Sequence, residues 1–471
     1  MLTDLTFLDK GNTFPPLAER ERIADYEENR LLYQGVHSNV FMETLQRISR
    51  NEMTAGFPVH QYEIMLDYFK KVSLKTADIC VGEPVSIIAG SNKEADKNQM
   101  DFVQDLYEAS NLNDMLYKMA IDNSRYGSAV FNLTKTKEGK PILKVMPVKN
   151  WYPVCSHFDI HEVTHHVFCF PYKQGDKSFL QSFIYHEGGK VEKITSKLEN
   201  GMIGAQLETE IVDSGFEQTI FFIHNVNTSD DFYGQSDYDG FQSIVAELEV
   251  RFAQVSKILD KHSAPSMQGP RSVLKADEKT EERYFEAGQF YCVDKDGIPV
   301  SYLTWDANLQ ANFTQIEKLK EELLTHSEMG VLFDTSKIAS VASGSALKRM
   351  LMNVLAKTNR VKASLVSPLK QAIKAAAKST GIEIDNLQIM FQDGLPNDLL
   401  EDAQIESIRT GNKPTSSVKA AIMRIDGSDE QGAEEEYQTM LDEQSEMDGM
   451  MAGGYTSHYN RDDPPDDPEE G

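Results

Sequence analysis

The string HEVTH, His161–His165, places two imidazoles four residues apart with a carboxylate between them. Zinc hydrolases use this spacing to hold a metal beside a general base. The chemistry requires a helix. There, Cβ atoms four residues apart lie ~5–6 Å from each other, near enough for both rings to share one zinc. On a strand the same pair is about 13 Å apart. Val163-Thr164 and the following HHVFCFPY are β-branched and aromatic and run into a proline, which is strand composition. His161, Glu162 and His165 are therefore expected on a polar strand face, with a zinc-dependent hydrolase as the alternative. YGSA (126–129) is not a G-x-S-x-G elbow, no G-x-x-x-x-G-K-[ST] string occurs, and DKDG lacks the remaining ligands of a calcium loop. No cofactor or metal is expected.

A second set of residues suits a polyanion. Residues 331–379 carry nine basic side chains (Lys337, Lys348, Arg349, Lys357, Arg360, Lys362, Lys370, Lys374 and Lys378) and one acid, Asp334, in a chain of formal net charge −27. Such a run lowers the cost of holding a phosphate backbone without reading its sequence. Aromatic residues are absent between Ile338 and Ala377, which argues against base stacking on a single strand and leaves a duplex backbone. The ordinary alternative is a solvated helix face. On a helical wheel Leu347, Leu351, Val354, Leu355, Val361 and Leu365 share one side. Arg349 and Arg360 point nearly the opposite way, with Lys348 and Lys362 at the flanks. Pro368 should kink or break the helix.

These residues need elements to place them. A chain of 471 residues allows two to four structural units. No apolar run approaches the ~20 residues that span a bilayer, no signal peptide is expected, and the four cysteines form no C-x-x-C pair, so reduced thiols in a cytosol are expected. From Asp426 to Gly471 there are 16 acidic residues and one basic residue, so the end of the chain is expected to be disordered. The first half reads as α+β. Helices cover residues 16–50 (stopping at Gly35), 60–82 and 98–126, EPVSIIAG is a short strand, a hairpin turns at Gly139, and further short strands fill 163–225. The second half is organised by helices. Phe241, Val245, Leu248, Phe252, Val255 and Leu259 form a near-heptad seam on one helix, capped by Asp237 or Ser236. A β-rich stretch follows, with a hairpin turning at Asp296-Gly297, and then a return helix. The seam is core or subunit-interface packing. After the basic helix come the strand-like NLQIMFQ and three shorter helices at 396–410, 416–425 and 431–446.

The order of these elements resembles the portal (head–tail connector) proteins of tailed phages, in the branch typical of long-tailed phages. The likeness is carried by RIADYEENRLLYQGVHSNVF, ADICVGEPVSI, NSRYGSAVFNL, FQSIVAELEVRFAQVSKILDKHSAPSM, ASGSALKRMLMNVLAKTNR and DGLPND, and it covers about residues 16–447. It implies an α+β portal fold with a wing at 1–236, a first stem helix at 237–262, a clip at 263–308 and a second stem helix at 309–329. A tunnel loop at 330–345, a long kinked wing helix at 346–381, a helical crown at 382–447 and a disordered acidic tail at 448–471 complete it. The resemblance further implies a ring, twelve subunits in the virion, at one capsid vertex. Double-stranded DNA would pass through it non-specifically during packaging and ejection. Assembly would take place in the host cytoplasm and involve no membrane. Implied partners are the terminase large subunit, a head-completion or adaptor protein, and the scaffolding and major capsid proteins, with which the ring would nucleate procapsid assembly; the chain would not be an enzyme, and a structural scaffold that assembles without touching DNA is the alternative beside the zinc hydrolase. On this mapping Lys337, Ser343, Gly344, Ser345, Lys348 and Arg349 face DNA. The subunit interface takes the 241–259 seam with Arg360 and Lys362. Asp294, Asp296, Gly297, Tyr302 and Trp305 belong to the docking clip.

Overall fold

The computed structural model describes residues 1–41, 64–90, 97–263, 267–270, 275–276, 283–284, 290–293, 300–302, 309–333, 344–384, 386–392, 399–411, 415–426 and 430–453. The chain divides into two compact units, residues 1–339 with 350–394, and residues 340–349 with 395–471.

In the first unit, helix α1 (Arg20–Gln34) stops at Gly35, where φ is 78°. Only glycine takes that conformation without steric cost. The N–H groups of Gly35 and Val36 donate back to the carbonyls of Leu32 and Leu31, satisfying the last turn. Helix α2 (Tyr68–Val81) and strand β1 (Ser86–Ala89) follow; the described residues just before α2, 64–66, are not helical. The helical run expected over 98–126 is two helices, α3 (Lys97–Ser110) and α4 (Leu112–Tyr126), broken at Asn111, which has a φ of 47°. Asparagine visits that left-handed region readily.

Strands β2 (Ser128–Lys135) and β3 (Pro141–Met146) form the expected hairpin around Gly139. An antiparallel meander comes next: β4 (Trp151–Cys155), β5 (Val163–Gln174), β6 (Lys177–Tyr185), β7 (Lys190–Glu199) and β8 (Met202–Asp213), paired in chain order. Strand β9 (Ile220–His224) returns to the free side of β2, giving the order β3-β2-β9. The first 14 residues, outside the portal resemblance, are part of this core. Leu2, Phe7 and Phe14 pack on Tyr152, Val154, Val167 and Leu180, and backbone bridges join Leu2 to Val154 and Thr13 to Met202.

Helices α5 (Gln242–Ser263) and α6 (Leu309–His326) pack against each other as the outward and return limbs of a hairpin. Between them lie β10 (Met267–Pro270), β11 (Lys275–Ala276), β12 (Arg283–Tyr284), β13 (Phe290–Val293) and β14 (Ser301–Tyr302). The expected 290–302 hairpin is corrected here. β13 and β14 do not pair with each other; β10 lies between them, parallel to β13 and antiparallel to β14. The sequence pattern finds the strands but not the third strand that separates them.

Helix α7 (Gly344–Met350) is followed by α8 (Met352–Ser379), and Pro368 lies inside α8 without ending it. The break falls at Leu351 instead. Strand β15 (Leu387–Met390) pairs antiparallel with β1, so the first unit continues to Gly394, past the expected crown boundary at 382. The second unit holds α9 (Leu399–Thr410), α10 (Val418–Asp426) and α11 (Glu430–Gly453). Ala421, Ile422 and Ala433 are buried among them, and Lys419 pairs with Glu434. α11 runs six residues into the segment expected to be tail.

Candidate functional site

Two features of the sequence suggest function: the apolar seam, in the first unit, and the basic run, whose Lys348 and Arg349 belong to the second unit and whose Lys357 to Lys378 belong to the first. Phe241, Val245 and Leu248 are fully buried within the chain. Phe69 stacks on Phe241 at 5.3 Å between centroids, and Tyr238 stands edge-on to both. Glu249, one residue past Leu248, is buried too; its Oε1 meets His37 Nδ1 at 2.6 Å and accepts the Leu66 N–H at 2.9 Å. Further along, Val255 is buried and Lys320 of α6 lies 5.2 Å from the Phe252 ring centroid. Ile316 and Leu323 of α6 are also buried. Only Leu259, 50% exposed, remains outward. Phe241, Val245 and Leu248 therefore have no surface to offer a neighbouring subunit, which corrects that expectation. A heptad seam needs an apolar partner, and the same chain supplies it.

Lys357, Arg360 and Lys378 of the basic run pair with carboxylates of this chain. Lys357 is buried, and its Nζ lies 3.0 Å from Asp237 Oδ2 and donates to the Ser327 carbonyl at 3.1 Å. Arg360 pairs with Glu328, Lys362 Nζ donates to the Gln392 carbonyl at 2.7 Å, and Lys378 pairs with Glu217 at 2.6 Å. Arg360 and Lys362 were expected at a subunit interface; their partners are in this chain, and Lys362 is buried. Its position on the wheel explains this, since it falls between Leu351 and Leu355 and its methylenes can lie along the apolar face while the ammonium reaches a carbonyl. Lys348 and Arg349 are exposed, as is Lys374.

Lys357 was given no individual role in the sequence reading. The available signal was its spacing, three residues after Val354 and four before Val361, a core position for a cation. Asp237 shows the complementary departure. It was expected to cap α5, but α5 starts five residues later at Gln242, and Asp237 accepts from Ser124 Oγ at 2.6 Å and Asn225 Nδ2 at 2.9 Å besides meeting Lys357.

Of the remaining sites, Lys337, Ser343, Asp294, Asp296, Gly297 and Trp305 lie outside the described residues. Gly344 opens α7, Ser345 is in its first turn, and Tyr302 is in β14. His161 sits in a turn and His165 in β5. His161 Nε2 meets the Ser229 carbonyl at 3.3 Å, and His165 Nδ1 meets Thr164 Oγ1 at 3.1 Å. The two rings do not converge as the zinc-hydrolase alternative requires, and no metal-holding group of His, Cys, Asp and Glu occurs among the described residues. The described cysteines are free, and burial pushes the Cys80 thiol up to about 12. No helix among the described residues is long and apolar enough to cross a membrane. A cavity of about 470 Å³ lies beside α1, lined by Glu21, Asp25, Asp230, Asp231 and Asp239 together with Arg22. Its carboxylates would repel a phosphate chain.

The family described as phage portal protein, SPP1 Gp6-like, matches residues 18–450, and the chain belongs to that family. It is a structural family of portal (head–tail connector) proteins. No curated protein matches the chain. Among solved structures, the neck of an empty gene transfer agent (GTA) particle computed with C6 symmetry shares 12% identity, with 75% of this chain and 89% of that chain covered and a TM-score of 0.42. The virion of a native GTA particle shares 12% identity over 76% and 89%, TM-score 0.39. The neck of a native GTA particle computed with C12 symmetry shares 13% over 76% and 87%, TM-score 0.38.

Proposed function

We propose that the chain assembles into a ring of twelve at one capsid vertex of the virion and that double-stranded DNA passes through the ring during packaging and ejection. The observation carrying this reading is the portal-family match over residues 18–450. The α5–α6 hairpin with a β module at its tip serves as stem and clip, and the clip residues Asp294, Asp296, Gly297, Tyr302 and Trp305 dock the terminase large subunit and later a head-completion protein. Scaffolding and major capsid proteins meet the ring during procapsid assembly. DNA contact falls to the loop and helix start, Lys337 and Ser343–Ser345 with the exposed Lys348 and Arg349. Of the seam, Leu259 is the residue left for a neighbouring subunit. Negative-stain microscopy of purified protein tests the reading. Turbine-shaped rings with a central hole are expected; monomers at every concentration, and in the presence of scaffolding protein, would overturn it.

A further inference from the structure

The two roots of the α5–α6 hairpin meet at one cation. Asp237 lies just before α5, and Ser327 directly follows α6. Lys357 Nζ touches both, Asp237 Oδ2 at 3.0 Å and the Ser327 carbonyl at 3.1 Å. The side chains of Lys357 and Asp237 are only 6% and 7% exposed. Among the described residues, the other hydrogen bonds to the Asp237 carboxylate come from Ser124 on α4 and from Asn225 just after β9. Ser124 is linked in turn to Ser73 on α2 and through it to Tyr238. Arg360, one turn after Lys357, pairs with Glu328, which follows Ser327 and adopts a φ of 56°. A non-glycine residue held there costs energy that its surroundings must offset.

We propose that Lys357 and Arg360 act as positioning residues that tie both roots of the stem to α8, so that stem and α8 move as one body. The ammonium does two things that no neutral side chain could do together. It neutralises a buried carboxylate, and it donates to a carbonyl at the C-terminal end of α6, where a cation is favoured. A displacement of α8 is thereby carried to the stem, and a displacement of the stem to α8. The coupling does not require a ring, so it can be read on the isolated full-length chain.

Hydrogen exchange on three variants tests it. Lys357→Met keeps the length and apolar stem of the side chain and removes the charge. It is expected to speed exchange at residues 327–332 and 242–245 about ten-fold or more beyond any uniform change in β6 and β7. Lys357→Arg is expected to restore most of the protection. Glu328→Gln, at a half-exposed pair, leaves folding intact and is expected to speed exchange about two- to five-fold at 327–332 alone. Acceleration spread evenly over β5–β7 would mean that Lys357 supports global stability only, and unchanged exchange at 327–332 in Glu328→Gln would remove the clamp. Loss of rings with these local effects intact would bear on the proposed function and leave the coupling standing.

Discussion

Lys357 and Lys348 are nine residues apart in one basic run and have opposite roles. Removing one partner of a buried ion pair leaves an uncompensated charge and costs about 3–5 kcal/mol, so Lys357→Ala should lower stability by that amount in urea titration. The double variant Lys348→Ala/Arg349→Ala alters exposed side chains, so its stability should stay within ~0.5 kcal/mol. If these two contact a duplex backbone, the double variant should reduce low-salt DNA binding and flatten its salt dependence. Gly127 is a different kind of single-residue requirement. Its φ is 74°, and an added Cβ would lie 2.1 Å from the Gly234 carbonyl oxygen, while that glycine's own Cβ would meet the Gly127 carbonyl oxygen at 2.2 Å. The Gly127 carbonyl is also held by the Asn225 N–H, which donates to it at 2.8 Å. Gly127→Ala should destabilise by more than ~1 kcal/mol, measured by thermal unfolding.

At the scale of elements, α5 reads as one amphipathic helix in sequence and as two halves in the structure. Its first half is buried against Phe69 of α2, and its second half faces α6. Leu248→Ala should therefore cost about 2–5 kcal/mol in the monomer, and Leu259→Ala should cost under ~1 kcal/mol. Equal, small effects from both would restore the subunit-interface reading of the whole seam. The sheets carry a pH response. His166 stacks on Trp151 at 5.9 Å and accepts its Nε1–H at 3.2 Å, and burial, aided by His165, pushes it down to about 3. His224 meets Ser128 Oγ at 2.9 Å, and burial, aided by His161, pushes it down to about 4. Above pH ~6.5 both rings are neutral in either state. Below it the unfolded chain takes up protons that the folded chain refuses, so stability falls as pH drops from about 6.5 towards 3–4. The urea midpoint should decrease across that window by the equivalent of several kcal/mol, and His224→Asn should flatten the slope.

For the whole molecule, the charge distribution decides which surfaces can meet DNA. A formal net charge of −27 does not favour a polyanion, and among the nine basic residues that stand against it Lys357, Arg360, Lys362 and Lys378 have partners in the chain. Lys348 and Arg349, in the last turn of α7, and Lys374 of α8 are exposed. On the proposed function, a weakly attractive channel wall would suit a duplex that must slide, because each additional phosphate contact increases the affinity and the salt slope. If the purified protein forms rings, their non-specific duplex binding should be abolished at moderate salt, a gel-shift or anisotropy titration being the check.

Much of the fold was legible from local signals. The stop at Gly35, the hairpin at Gly139, the out-and-back helices and the strand from Val163 onward each follow from residues adjacent in sequence, where backbone preference and hydrophobic period act over a few positions; His161 and Glu162, expected on that strand, precede it. The pairing of β1 with β15, the insertion of β10 between β13 and β14, and the return of β9 to β2 were not legible, because register between distant strands is set by which apolar faces meet. Nor did the sequence distinguish a solvated lysine from a buried one. The charge of Lys357 is fixed by its composition, but its role is decided by Asp237, 120 positions away, and by Ser327, which only tertiary packing brings within hydrogen-bonding distance. Sequence alone determined the elements, their order and the family. The tertiary structure decided which cations are buried ties and which stay exposed, since burial and pairing belong to the folded chain as a whole.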